Sequence, residues 1–167
     1  TEFLGIFEPA CMALGRWWAR STVRRSCRGG YGVLPVPAEL PGALDTLDAM
    51  LDGSRSAFET FLRIPLPAKR RNIELDWKDY DNLGYLSGHS VGEAESAMFD
   101  ALVQSHASLD IPLIVLSAEQ LDAPQLGELF YFLELTAALC AAADGLNPFD
   151  RKRTSPTRAQ AAACLQG

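Results

Sequence analysis

Glu2-Phe3-Leu4-Gly5-Ile6-Phe7-Glu8-Pro9 stands at the start of the chain. Residues 2–7 read as a short apolar strand, and Pro9 sits where the first turn of a helix accepts proline. A strand running straight into a helix is the building unit of α/β proteins. The helix should extend from Ala10 to about Val23, with Met12, Ala13, Trp17 and Arg20 near one stripe. Val33-Leu34-Pro35-Val36-Pro37 is extended, and its prolines confine it to a short or edge strand. Leu40 to Leu51 fits a helix with Leu44, Leu47, Met50 and Leu51 on its buried side, stopped by Asp52-Gly53.

The alternation continues along the chain. Ala57 to Ile64 predicts a strand, Pro65 to Arg71 a rigid basic connector, and Asn72 to Leu75 one more short strand. A turn from Leu83 closes at Gly88. Ser90 is then an N-cap, with Glu93 completing a capping box for a helix that runs to Gln104 or His106. Ile111-Pro112-Leu113-Ile114-Val115-Leu116 reads as a continuous, fully buried strand. Pro124 to Ala143 predicts a helix that is apolar on nearly all sides and therefore central, ended by Asp144-Gly145. After the basic turn Arg151-Lys152-Arg153, Thr157 to Leu165 forms the last helix. This order predicts an α/β fold, a three-layer sandwich in which helices flank a mostly parallel sheet.

Composition agrees with one domain. The chain has 167 residues, 48% of them apolar and 22% charged. Such a domain hides roughly 70% of its unfolded surface and needs no disulfide or metal staple. A net charge of −6, from 15 basic and 21 acidic side chains, argues against nucleic-acid binding. Cys11, Cys27, Cys140 and Cys164 show no CxxC spacing, which fits reduced thiols in a cytoplasmic protein and gives no metal signature. The apolar run Leu129 to Ala143 is interrupted by Glu134 and is too short for a bilayer, so no membrane partner is expected. The chain begins at Thr1, already inside a strand. The expectation is a single domain over 1–167 that is a fragment, a processed chain or one domain of a larger protein.

Ligands of parallel α/β sheets bind beyond the carboxyl ends of the strands. Glu8 is therefore the candidate site residue. A carboxylate near a helix start stays ionised and can act as a proton-abstracting base, although a cap or an ion pair is its commoner role. Trp17-Trp18 can be core packing or a sugar platform, with core the commoner fate. Arg16, Arg20, Arg24, Arg25 and Arg28 form a basic cluster that is either a solvated helix face or a site for a phosphate or an acidic partner. Arg28-Gly29-Gly30-Tyr31-Gly32 is a glycine-rich loop without a P-loop ending or a dinucleotide fingerprint. His89 and His106 belong to no nucleophile constellation, and His106 ends a helix, where a partly charged imidazole is favourable.

Four ordered segments resemble the carboxyl-terminal sugar-isomerase (SIS) domain of the phosphoglucose isomerase family. They are Phe7-Glu8-Pro9 followed by Trp17-Trp18; Asp52-Gly53-Ser54-Arg55-Ser56-Ala57-Phe58-Glu59-Thr60; Asp81 to Gly88; and Leu129 to Glu134 followed by Gly145-Leu146-Asn147-Pro148-Phe149-Asp150. The resemblance covers the whole chain and implies aldose–ketose interconversion of a sugar phosphate through an enediol, with no cofactor. In that family a glutamate moves a proton between C1 and C2, while a histidine and a lysine assist ring opening. Glu8 matches the glutamate. Asp45, within Ala43-Leu44-Asp45-Thr46-Leu47-Asp48-Ala49, stands at the histidine position, and Arg158 stands at the lysine position. An arginine keeps its proton and an ordinary aspartate is ionised at neutral pH, so neither replaces the lost group. Each acid–base group contributes about 10²–10⁴ in rate. Arg20 to Arg25 also replace the family's Gln-Leu-Phe-Gly-Glu-Ser, and the family's amino-terminal SIS domain has no counterpart here.

The resemblance thus implies a catalytically degenerate domain with a binding or structural role in a larger protein or complex. The alternative is an active isomerase, completed by a second SIS domain or a partner chain. A dimer is the expected assembly, with a sugar phosphate as its ligand. A third expectation is a docking module that presents the arginine cluster to an acidic partner.

Overall fold

A computed structural model describes residues 1–25, 27, 32–51, 57–64, 71–74, 79–150 and 156–166, with the side chains of 49–51 excepted. Several expectations lie outside these residues: the loop from Arg28 to Tyr31, the stop at Asp52-Gly53, the connector from Pro65 to Arg70, the turn Arg151-Lys152-Arg153, and the side chains of Met50 and Leu51.

The strands β1 (Glu2–Ile6), β2 (Pro35–Glu39), β3 (Phe58–Arg63) and β4 (Leu113–Ser117) form one parallel sheet in the order β2-β1-β3-β4. The helices are α1 (Met12–Arg25), α2 (Leu44–Leu51), α3 (Val91–Ser108), α4 (Ala123–Ala143) and α5 (Pro156–Gln166). Alternation along the strands divides the core in two. On one face Phe3, Ala38 and Phe61 pack under Leu47 of α2 and Phe99 and Leu102 of α3. On the other, Leu4, Ile6 and Leu62 pack under Leu14 and Trp18 of α1 and Leu133 and Ala137 of α4. The fold is the three-layer α/β sandwich that the sequence predicts.

β1 lies between β2 and β3 and is buried along its whole length. Gly5 is what lets large side chains meet over it. A Cβ there would lie 2.6 Å from the Phe61 ring and 2.8 Å from Leu40. Phe99 closes the same cluster, edge-on to Phe61 and to Phe7 at centroid distances of 6.0 and 5.7 Å. In the described sheet β2 is an edge strand, as its prolines require. Leu40 donates its amide to the Ile6 carbonyl, so the even-numbered amides of this segment face β1. Pro35 and Pro37 take the odd places, where no donor is needed.

Some expectations need correction. The buried stripe of α1 is Leu14, Trp18 and Thr22, whereas Ala13 and Arg20 are exposed. Trp18 is the tryptophan that points to the sheet; Trp17 sits half-buried, edge-on to Phe130 of α4 at 4.4 Å. α2 starts at Leu44, because Leu40 to Ala43 form a turn around Pro41-Gly42. Asn72 makes a single antiparallel bridge to Ser90 instead of starting a strand. β4 has β3 on one side in the described sheet, and Ile114 is 50% exposed, so this strand is an edge and not fully buried. α4 buries Leu133, Ala137 and Ala141 but leaves Tyr131, Phe132, Leu135 and Leu139 exposed, so it is an outer layer and not central. At 21 residues α4 is long and apolar enough, by length and composition, to cross a membrane. Midway along it, Glu134 accepts a 2.7 Å hydrogen bond from Ser21 and pairs with Arg25 of α1.

Two buried carboxylates tie the helices to the sheet near its amino end. On the α1 face, Glu2 accepts hydrogen bonds from Trp18 Nε1 at 3.2 Å and Thr60 Oγ1 at 2.7 Å. On the other face, Glu59 has no solvent exposure and lies 2.7 Å from His106 Nδ1. His106 Nε2 is 3.0 Å from Asp48 of α2. Glu59 Oε1 has no hydrogen-bond partner, so the imidazole is the main compensation for this buried group.

Burial pushes the Glu59 carboxyl up, and the hydrogen bond and charge of His106 only partly pull it back. Burial opposes a charge on His106, but its hydrogen bonds to Glu59 and Asp48 outweigh that and raise its pKa. A pKa raised by folding contributes stability that is whole below the unfolded value and is lost as pH rises through the folded one. The unfolding free energy should therefore fall as pH rises above 6.5, the ordinary histidine value. Urea melts from pH 6 to 9 would measure this. His106→Gln should remove that component of the slope and cost about 3 kcal/mol or more at pH 6, since it strands Glu59.

Candidate functional site

At the carboxyl end of the sheet the chain leaves an open cleft of about 1010 Å³. The ends of β1, β3 and β4 supply Phe7 and Glu8, Arg63 and Ile64, and Ser117 to Glu119. The first turns of α3 close the opposite wall with Ser90, Gly92, Glu93, Glu95, Ser96 and Phe99. The position is the one that parallel α/β sheets use for ligands.

Glu8 reaches this cleft because β1 ends at Ile6 and Pro9 starts a short 3₁₀ turn. Its extended backbone makes it the cap of that turn, and Oε1 accepts from the Ala10 amide at 3.4 Å. The capping role and a place on the cleft wall therefore coexist in one residue. Behind it, burial first and the Glu8 carboxylate second push the Cys11 thiol up, so Cys11 is a poor nucleophile.

Arg63 is the one cation that lines the cleft among the described residues. Its guanidinium lies 4.8 Å from the centroid of the Phe99 ring, donates to Ser96 Oγ at 3.3 Å and meets Asp100 at 3.3 Å. The reading of the sequence missed this residue. Its signal was a basic residue at the last place of a strand, immediately before the loop. Against Arg63 stand the carboxylates of Glu8, Glu93, Glu95 and Glu119.

Asp45 and Arg158 do not join Glu8. Asp45 is exposed in the first turn of α2, and Arg158 is exposed on α5. Neither lines the cleft. His89 is exposed, with its ring 4.0 Å from Glu93, and His106 is committed at the far end of the sheet. Among the described residues, no three His, Cys, Asp or Glu side chains gather as a metal site would need.

A glucose-6-phosphate isomerase of Listeria monocytogenes serotype 4b is 28% identical over 166 residues, which is 99% of this chain and 37% of that protein. One from Streptococcus gordonii is 31% identical over 152 residues, 90% of this chain and 34% of that protein. This chain is distantly homologous to part of glucose-6-phosphate isomerase. It spans about a third of the length of these isomerases. No protein-family model matches it. A hypothetical protein from Thermus thermophilus, known from its crystal structure, superposes with a TM-score of 0.86 over 99% of this chain and 41% of that one, at 16% identity. At that identity the likeness concerns the fold. The isomerase homology and the shared fold thus run through the segment that carries Glu8.

The α3 wall depends on its cap. Ser90 Oγ accepts from the Glu93 amide at 3.2 Å, and Glu93 Oε2 accepts from the Ser90 amide at 2.7 Å. Hydrogen bonds from the Ser90 amide and hydroxyl hold the Glu93 carboxyl below its ordinary pKa. Ser90→Ala should lower stability by about 1 kcal/mol. Thermal unfolding would measure that loss, and exchange of the Glu93 and Ala94 amides should quicken with it.

Proposed function

We propose that this chain is an isomerase-like domain that serves a binding or structural role and has lost turnover. It belongs to a larger protein or complex in the cytoplasm. The observation that carries this reading is the cleft wall. Of the three positions that the isomerase resemblance assigns to acid–base work, Glu8 alone has the right chemistry, and it alone lines the cleft. Charge supports the same reading: four carboxylates face one guanidinium among the described lining residues, which repels a sugar phosphate. A second SIS domain or a partner chain, in a dimeric assembly, is the natural neighbour of a domain that is a third of its homologues' length.

A specific feature favours the second reading, an active sugar-phosphate isomerase completed by another domain or chain. Glu8 stands at the carboxyl end of the central strand with the cleft open before it. There it could take a proton from C2 of an aldose phosphate and return it to C1 across one face of the planar enediolate, while the hydroxyl proton on O2 passes to O1. The electron pair of the broken C–H bond passes into the enediolate and comes back when the new C–H bond forms. Ring opening would then need an acid and a base from outside this chain.

A coupled assay from fructose 6-phosphate to glucose 6-phosphate, run on the full-length protein beside its Glu8→Gln variant, separates the two. The expected result is no turnover above the variant, because two missing acid–base groups cost about 10²–10⁴ each. Turnover that disappears in Glu8→Gln would establish the active isomerase and overturn the binding role.

A further inference from the structure

The helix α2 has few fastenings. It is eight residues long, and isolated helices shorter than about 12 residues are marginal in water. Among its described side chains Leu47 alone is fully buried, in the cluster of Phe3, Leu40 and Phe61, with Leu44 partly covered beside it. Asp48 supplies the polar fastening, with its carboxylate 3.0 Å from His106 Nε2.

That fastening depends on a count of protons. The ring of His106 lies between two carboxylates, with Glu59 Oε2 2.7 Å from Nδ1 on its other side. Carboxylate oxygens and bare ring nitrogens only accept, so each of the two contacts needs a proton of its own. Two protons satisfy both contacts, whether the ring carries both or Glu59 holds one of them. One proton satisfies a single contact, and the two carboxylates have unequal claims on it. Glu59 has no solvent exposure and its Oε1 has no hydrogen-bond partner, so without the ring it would be stranded. The Asp48 side chain is 63% exposed, and water can solvate it wherever α2 moves. The last proton therefore stays between Nδ1 and Glu59, and the bare lone pair of Nε2 is left facing the Asp48 carboxylate. The charges that bear on the ring are those of Glu59 from β3 and Asp48 from α2. Asp45, one turn earlier on α2, and Asp110, in the turn after α3, are exposed and form no bond with the ring.

We propose that α2 is a proton-latched flap: it stays docked while two protons are shared across His106, and it lifts from the sheet when one of them is lost. Lifting releases a proton, so rising pH favours it. The ring's bonds to both carboxylates raise its pKa, which puts the release above the ordinary histidine value of 6.5. Ala43, Thr46 and Leu47 line a groove of about 620 Å³ that shares Phe7 with the cleft of Glu8. Lifting α2 opens this groove and uncovers Phe3 and Leu40, so proton loss adds apolar surface beside the cleft. The proposal is independent of what the cleft binds and of the fate of Glu8.

The test reads amide hydrogen exchange of the full-length protein from pH 6 to 9, each rate taken relative to that of the unfolded chain. The α2 amides from Leu47 onward should lose protection as pH rises, by up to about tenfold per pH unit, the linkage of one proton. Phe99 and Leu102 of α3 should keep higher protection throughout, because α2 lifts without global unfolding. Asp48→Asn, a change at an exposed position, should hold α2 down at every pH. Its amide can offer Nε2 either an oxygen or an N–H, so the protection of α2 should vary by no more than about twofold over the range. In the unsubstituted protein, nitrogen shifts of the His106 ring, assigned by their loss in His106→Gln, should show Nδ1 protonated and Nε2 bare above the transition. Equal protection of α2 and α3 at each pH, an unchanged pH course in Asp48→Asn, or a ring that keeps its proton on Nε2 would overturn the proposal.

Discussion

A carboxylate sealed under two helices must be given a proton or a cation, and the sandwich is arranged around meeting that demand at Glu59. His106 supplies the compensation from the last turn of α3, and Asp48 holds the far side of its ring from α2. One imidazole thereby fixes β3, α3 and α2 relative to one another. Glu2 performs the matching task on the opposite face, joining β1 to α1 through Trp18 and to β3 through Thr60. Both ties lie near the amino end of the sheet. Removing one member would leave a buried polar group stranded, so these positions resist piecemeal change.

The carboxyl end is organised differently. Glu8, Arg63 and the acidic residues of α3 line an open cleft and carry local roles such as capping and ion pairing. Local roles can be exchanged one at a time. Asp45 and Arg158, which lie outside the cleft lining, are both exposed. The homology to part of glucose-6-phosphate isomerase spans nearly the whole chain, the frame and the cleft alike.

What the sequence revealed was what adjacent residues determine among themselves. The first strand followed by a turn opened at Pro9, the capping box of Ser90 and Glu93, and the proline-marked edge strand are all local signals, and all of them form. Choosing between Trp17 and Trp18 needed the sheet, because adjacent helical residues differ by about 100° and both are large and apolar. The apolar run in β4 and the apolar helix α4 looked alike to a reader of hydropathy whether covered on one side or all round. Their exposure depends on neighbours that no local pattern encodes. His106 was legible as a helix-end imidazole, but Glu59, 47 residues earlier, became its partner only through the packing of α3 on β3. Of the candidate site, Glu8 could be placed from strand and proline alone, whereas Arg63 emerged only once β3 was seen to end at the cleft.

The uncovered flank of α4 has a consequence for the colloidal behaviour of the chain. Tyr131, Phe132, Leu135 and Leu139 fall within one side of the helix and are all exposed. Between two copies of this chain, such flanks attract at short range. The excess of acidic residues, −6 in total, supplies the opposing repulsion. That repulsion reaches about 30 Å in 0.01 M salt but only about 8 Å at physiological ionic strength. Ionic strength thus sets how close two molecules come before their sticky sides meet, and concentrated solutions should become more viscous and more turbid as salt is added.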